Sequence, residues 1–388
     1  MPGLNLPPQQ RVYGAFFLYA VCMGSLPPRL PELQRMMQVE EGALGFGLIG
    51  SSAGALLSLS CFGPILERIG YRRSLLTLLP LLALFYAMAS LARGPLTFFL
   101  LLFPVGLVVG GVEIILNLEA DRTENIIGHR IMNRAHAFWS FGFFMAGIVS
   151  ALAAQCAIPP QVHLFLMVPL VIVGVAIFLG GFVPAPHRLG TSKEEAPRFA
   201  VPTTGIMVLV GVTLSAMILE GAGIDWAAIY MRDVFSVSPF LSGFAVAVGA
   251  GAQAATRFFA DGVVDRFSPT TVSRTMIGVL GTGVLLVYYA PSGLWALIGF
   301  ALIGMGTSVI FPLAMSAAAQ LTDRPAATNV ASLAQISFVA FLLGPPLLGY
   351  VAEHFGIRWS FGVCFPLVVL SLICAGALGT KPPMKTIH

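Results

Sequence analysis

Glu113, Glu220 and Asp225 each interrupt or border a long apolar run. A carboxylate in hydrocarbon is costly unless it faces a cavity or a partner. Asn117 follows Glu113 by one helical turn, which places the amide on the same helix face. An ionisable group that alternates between a wet and a closed environment can take up a proton on one side and release it on the other. Glu113 is therefore a candidate for proton or substrate coupling, with Asn117 beside it; the plainer alternative is a neutral or paired glutamate that ties its helix to a neighbour. Glu220 precedes Gly221 and Gly223, which invite a local break, and broken helices expose backbone groups to transporter cavities. Asp225 and Trp226 lie one turn further out and divide between an outer gate and the aromatic belt of a membrane interface. His136, just after Arg134, is either a hydrogen-bonded residue near a helix end or a proton relay. Arg257 and Asp261 are spaced to pair along one helix face, in a structural or gating role. Gln335 and Asn329 could meet a polar solute, or serve as interhelical glue.

Other chemistries find no residues to carry them. No GxxxxGK[ST] loop cradles a nucleotide, so ATP-driven transport by this chain alone is not expected. No Ser-His-Asp set and no HExxH pair stands out, and neither an enzyme nor a metal or cofactor site is expected. Cys22, Cys61, Cys156, Cys364 and Cys374 fall in or beside apolar runs without paired spacing, as inert small hydrophobes do. Lys and Arg are spread over short loops, which argues against nucleic-acid binding.

The elements that must hold these residues are membrane helices. The 388 residues are 57% hydrophobic and 10% charged, against roughly 25% charged in a soluble domain, so lipid must be the main solvent. About 20 apolar residues span a bilayer. Segments of that kind run near 12–30, 43–65, 74–92, 95–118, 132–155 and 162–183, then 203–229, 239–260, 272–290, 293–316, 331–351 and 359–379. The run from Val12 continues into a spanning segment and is read as the first helix rather than a cleaved leader. Residues 184–202, polar and flanked by proline, read as a linker between six-helix halves at 1–183 and 203–388. With both termini in the cytoplasm, only Arg29, Arg35, Arg93, Arg232 and Arg358 fall outside, and the remaining 16 of 21 Lys and Arg fall inside. That bias fits the positive-inside rule and an even number of passes. Gly50 and Gly54, and later Gly243, Ala247 and Gly251, have helix-packing spacing. They mark either a sliding interface between halves or plain close packing. Pro27, Pro28 and Pro31 end the first helix.

A dense charge cluster separates the second and third segments: Gly63, Glu67, Arg68, Gly70, Arg72 and Arg73, spaced G-x3-E-R-x-G-x-R-R. Gly63 would let neighbouring helices approach and Gly70 would permit a tight turn. Glu67 could pair with arginines or with the end of a helix from the other half, locking one side shut. A weaker copy sits half a chain later, where Asp265 and Arg266 match Glu67 and Arg68, Asp261 replaces the first glycine and Ser268 the second.

This spacing resembles the loop signature of the major facilitator superfamily, with glutamate in place of the usual aspartate, and the resemblance covers the whole chain. Glu113 to Asn117 and Ile131 to Gly142 resemble the fucose permease branch, which comprises sugar–proton symporters and many bacterial relatives without a known substrate; Glu220 to Trp226 and Gly344 to Gly349 resemble those relatives more than the sugar carriers. The resemblance implies an all-α membrane protein of twelve helices in two halves. In fucose symporters a carboxylate at the position matching Glu113 takes part in coupling with an aspartate in helix 1. Here helix 1 has no acid between Val12 and Pro31, so such a two-carboxylate relay is absent or relocated.

The expectation is a monomeric secondary transporter in the bacterial inner membrane, both termini cytoplasmic. It would move a small solute, a sugar or related polar metabolite, with protons by alternating access. Alternatives are an exporter of amphipathic drugs or metabolites on the same fold, and a non-transporting membrane sensor.

Overall fold

Prolines and short hydroxyl side chains set where many helices begin. Pro8, Pro95, Pro160, Pro239 and Pro269 occupy first-turn positions, where the missing N–H costs nothing. Thr203, Ser238 and Ser268 cap their helices by accepting from backbone N–H groups.

The computed structural model describes residues 6–129, 131–186 and 200–379, with all side chains there except those of Asn133, Asp261, Asp265 and Ala327. Before the linker come α1 (Pro8–Gly24), a 3-10 turn (Pro27–Arg29), α2 (Leu30–Met37), α3 (Glu41–Cys61), α4 (Gly63–Ile69), α5 (Tyr71–Ala89), α6 (Pro95–Ile127), α7 (Met132–Gln155) and α8 (Pro160–Leu179). After it come α9 (Thr204–Asp225), α10 (Ala227–Phe235), α11 (Pro239–Arg266), α12 (Pro269–Tyr289), α13 (Gly293–Thr307), α14 (Ile310–Gln320), α15 (Ala326–Phe355), α16 (Ile357–Gly362) and α17 (Phe365–Cys374). No strand occurs among the described residues. Most of the expected linker, residues 187–199, lies outside them.

Among the described residues ten stretches are long and apolar enough to cross a membrane; α13 with α14 forms one and α16 with α17 another. The 17-residue α1 and the more polar α11 complete twelve passes. Successive passes alternate in direction. Residues 6, 186, 200 and 379 thus share one face, the linker face, and α2 and α10 lie on the opposite, far face.

Two expectations need correction. The fourth pass does not end near residue 118: α6 runs to Ile127, because its polar last turns meet no breaker before the left-handed Gly128 (φ 75°). The seventh pass does not break at Gly221–Gly223; α9 is continuous to Asp225 and turns at Trp226 into α10. The glycines also divide. A Cβ at Gly50, Gly54 or Gly106 would strike backbone, so these three seal α3 to α6 within the first half. Gly243, Ala247 and Gly251 instead face Ala151, Gly147 and Phe144 of α7, across the halves.

Candidate functional site

Glu113 lies fourteen residues from the end of α6 at Ile127, roughly 21 Å by helical rise, and so near the middle of the bundle rather than close to the linker face. Asn117 Nδ2 donates to Glu113 Oε1 at 3.0 Å and to the Glu113 carbonyl at 2.9 Å. Its Oδ1 meets His136 Nε2 at 3.2 Å. An amide oxygen only accepts, so with this assignment Nε2 carries the hydrogen. The His136 ring is braced edge-on by Phe16. Tyr19 of α1 faces the same carboxylate, and Arg257 acts on it from the second half.

The partner cluster is centred on α11. Gln253 Nε2 donates to Glu220 Oε1 at 2.9 Å, and Arg257 Nη2 lies 3.9 Å from the same oxygen. Arg257 also donates to the Ser308 carbonyl at 3.1 Å, where α13 and α14 part. Its Nη1 reaches across the halves to Ser140 Oγ at 3.0 Å, and Ser140 in turn donates to Gln253 Oε1 at 3.4 Å. Arg257 therefore sits at mid-depth between two carboxylates. The expected partner Asp261 has its side chain outside the described residues, as does Asp265, while Arg266 lies over the Phe267 ring.

Two cavities adjoin these groups. One of about 440 Å³ is walled mainly by apolar side chains, including Trp139, Phe143 and Phe300, with Glu220, Gln253 and Thr307 as its polar points. The other, about 610 Å³, lies toward the far face and takes Ser51, Ser52 and Tyr86 from the first half and Asp225 from the second. Among the described residues the Asp225 carboxylate has no hydrogen-bond or ion-pair partner; Tyr86 is within electrostatic reach. Trp226 is fully buried and packs on Gly349 of α15, so it does not belong to an interfacial belt. Gln335 accepts from Ala200 N, and Asn329 donates to Asp323, so both are engaged at the linker face.

The halves are tied at the far face. Arg232 Nη1 donates to the Pro31 carbonyl at 2.8 Å and its Nη2 to Gln34 Oε1 at 2.7 Å. Gln155 Oε1 accepts from Phe240 N at 3.1 Å, and Glu353 Oε2 accepts from Gly42 N at 3.0 Å. On the linker face the Gly63–Arg73 turn stays within its own half among the described residues. Tyr71 donates to Glu67 Oε1 at 3.5 Å, Arg122 lies over the Tyr71 ring, and Arg72 donates to the Gly180 carbonyl at 3.0 Å. Gly70 has φ 88°, as the tight turn requires. Gly63 does not serve close approach, since a Cβ there would meet open space.

The family model of the major facilitator superfamily matches residues 12–338 and, again, 208–387. The chain belongs to the major facilitator superfamily. It is 27% identical over 376 residues to an uncharacterised transporter of Sinorhizobium fredii, covering 96% of this chain and 98% of that one. It is 25% identical over 381 residues to an uncharacterised transporter of Yersinia pestis, covering 98% and 97%. Among solved structures, a variant of the nucleoside transporter NupG superposes with a TM-score of 0.74 at 14% identity, covering 96% of this chain and 100% of that one. A D-xylose–proton symporter gives 0.69 at 14%, covering 97% of each. The fucose:proton symporter of E. coli gives 0.60 at 17%, covering 96% and 99%. At these identities the likeness is one of fold. This superfamily member is a multi-pass membrane transporter and not an enzyme.

Sequence reasoning named Glu113, Asn117, His136, Glu220 and Arg257 but missed Gln253, Ser140, Tyr19 and Tyr86. An amide inside an apolar segment was the available signal for Gln253, because such a group needs a partner in lipid.

Proposed function

We propose that this superfamily member moves a small solute by alternating access, with Glu113 carrying the coupled proton. What supports this most is the position of Glu113: a mid-depth carboxylate held by Asn117 and acted on by Arg257 of the other half. His136 holds the Asn117 oxygen, so the amide keeps its donor aimed at Glu113. On this reading proton loss from Glu113 strengthens its attraction to Arg257, and proton gain releases it. Arg257 then shares itself between Glu113, Glu220 and Ser140 as the halves 1–183 and 203–388 rock. The linker face is the cytoplasmic face of a bacterial inner membrane, as the Lys and Arg bias favours. The protein works as a monomer, and the Glu67–Arg73 turn closes the cytoplasmic side.

The expected solute has polar groups for Glu220 and Gln253, as a sugar or related metabolite has. A second reading is favoured by the walls of the cavity beside Glu220, which are mainly apolar. They suit an amphipathic solute, and the unpartnered Asp225 of the second cavity, toward the far face, would then select an amine on its apolar body. The test is uptake into proteoliposomes of D-xylose, L-fucose, a nucleoside and an amphipathic amine under an imposed pH gradient. Accumulation of a neutral solute supports the first reading and of the amine alone the second; gradient-independent equilibration of all four contradicts proton coupling.

A further inference from the structure

The stretch Gly349-Tyr350-Val351-Ala352-Glu353-His354-Phe355-Gly356-Ile357-Arg358 repeats the spacing of Gly63 to Arg72: glycine, acid, glycine, arginine, at the same intervals. The backbone repeats too. Gly70 (φ 88°, ψ 133°) closes α4 and opens α5, while Gly356 (φ 87°, ψ 148°) closes α15 and opens α16. Such φ values are readily entered only by glycine. In each turn the arginine crowns a helix C-terminus of its own half. Arg72 donates to the Gly180 carbonyl just past α8, and Arg358 donates to the carbonyls of Tyr288 at 2.8 Å and Ala290 at 2.9 Å, at the end of α12. A cation there satisfies otherwise orphaned carbonyls and the helix dipole.

The two turns stand at opposite ends of one helix pair. The first follows α3 on the linker face; the second ends α15 on the far face. These two helices pack together across the halves, with Gly45 of α3 against the Pro345 carbonyl and Gly349 of α15 against the Glu41 carbonyl.

The turns differ in what the acid holds. Glu67 accepts a hydrogen bond from Tyr71 of its own turn and from no residue of the other half among the described residues. Glu353 crosses the interface and accepts from Gly42 N at 3.0 Å, in the first turn of α3. The N-cap of α3, Glu40, supplies no side-chain cap of its own, so Glu353 satisfies an orphaned N–H from the other half. Gly42 admits it, since a Cβ there would lie 2.5 Å from Glu353 Oε2. At the linker face the N-cap of α15, Pro325, likewise supplies no side-chain cap.

We propose that Glu353 is a far-face latch, built as a second copy of the Glu67 turn, which caps α3 from the other half. Glu353 holds α3 when the far face is shut and leaves it when that face opens, while the Glu67 turn closes the opposite face as proposed above. The proposal rests on the alternating-access reading.

The test measures distances between spin labels in the full chain in nanodiscs, with Cys61, Cys156 and Cys374 replaced by serine. One label pair, at Arg93 and Ser292, spans the far face; another, at His129 and Thr322, spans the linker face. Glu353→Ala should raise the far-open to far-closed ratio about five-fold, the factor a carboxylate on a helix N-terminus commands. Gly42→Ala should shift it in the same direction and add nothing to Glu353→Ala. Glu67→Ala should shift both pairs the opposite way, which a merely destabilised fold would not do. An unchanged far-face distribution in Glu353→Ala, with Glu67→Ala still shifting, overturns the latch and leaves alternating access standing. Label pairs that never move in opposite senses in any variant overturn alternating access itself.

Discussion

Removing Arg257 and Glu220 together should damage the fold less than the sum of the two single removals. The guanidinium lies 3.9 Å from Glu220 Oε1, with the two side chains 17% and 22% exposed. At that separation two unit charges attract by about 4 kcal/mol at an effective dielectric near 20. Desolvation of both groups offsets part of this, leaving a net coupling of about 1–3 kcal/mol. Arg257→Leu also strips the bonds to Ser140 and Ser308 and leaves the Glu220 charge to Gln253 alone among the described residues, for a loss of about 3 kcal/mol, the lower end of what breaking a buried pair costs. Glu220→Leu should cost less, because Arg257 keeps Ser140 and the Ser308 carbonyl. Thermal unfolding midpoints in detergent, measured for both single variants and the double variant, give the cycle. The double variant should unfold above the midpoint that additivity predicts. Additive losses would refute the claim that Arg257 is held at mid-depth by Glu220.

Gly106→Ala should lose folded protein, at a cost of about 1–3 kcal/mol, because its Cβ would strike the Ser51 carbonyl, whereas Gly63→Ala, which faces open space, should leave the folded yield in fluorescence size-exclusion unchanged. His136→Gln, which can still donate to Asn117 Oδ1, should retain much more proton-driven uptake than His136→Ala; equal losses would remove His136 from the chain that orients Glu113. Asp323 lies outside the membrane passes, and hydrogen bonds from Asn329 and Thr203 hold its carboxyl below the usual carboxylate range. A depressed folded-state value means that its contribution to stability is complete above the unfolded value of about 3.9 and fades as pH falls through the folded one. Asp323→Asn should therefore flatten the acid limb of the unfolding midpoint against pH, and an unaltered limb would show that the Asn329 contact is idle.

The sequence disclosed the parts of the site that are local along the chain. The spacing of Glu113 and Asn117 foretold one helix face, and the amide does bond the carboxylate. Depth was not local. Hydropathy stops where α6 becomes polar at Glu119, Asp121, Arg122 and Glu124, yet the helix continues to Gly128, so Glu113 sits far deeper than the apolar run implied. Trp226 carried a belt-like signal because nothing nearby announces that the chain folds on into α10 and buries the indole. Ser140 and Gln253 meet across 113 residues, a contact that no periodicity encodes. The spacing from Gly349 to Arg358 was present in the sequence throughout. It gained meaning only when Gly356 shared the backbone of Gly70 and Glu353 was found on α3.

The most direct test of the central claim is Glu113→Gln in proteoliposomes. The side chain keeps its size and an oxygen for Asn117 but cannot carry a proton. For whichever solute of the four the wild type accumulates, pH-gradient-driven accumulation should vanish in the variant while exchange of labelled for unlabelled solute persists. Accumulation that follows the pH gradient as in the wild type would contradict the assignment of the coupled proton to Glu113.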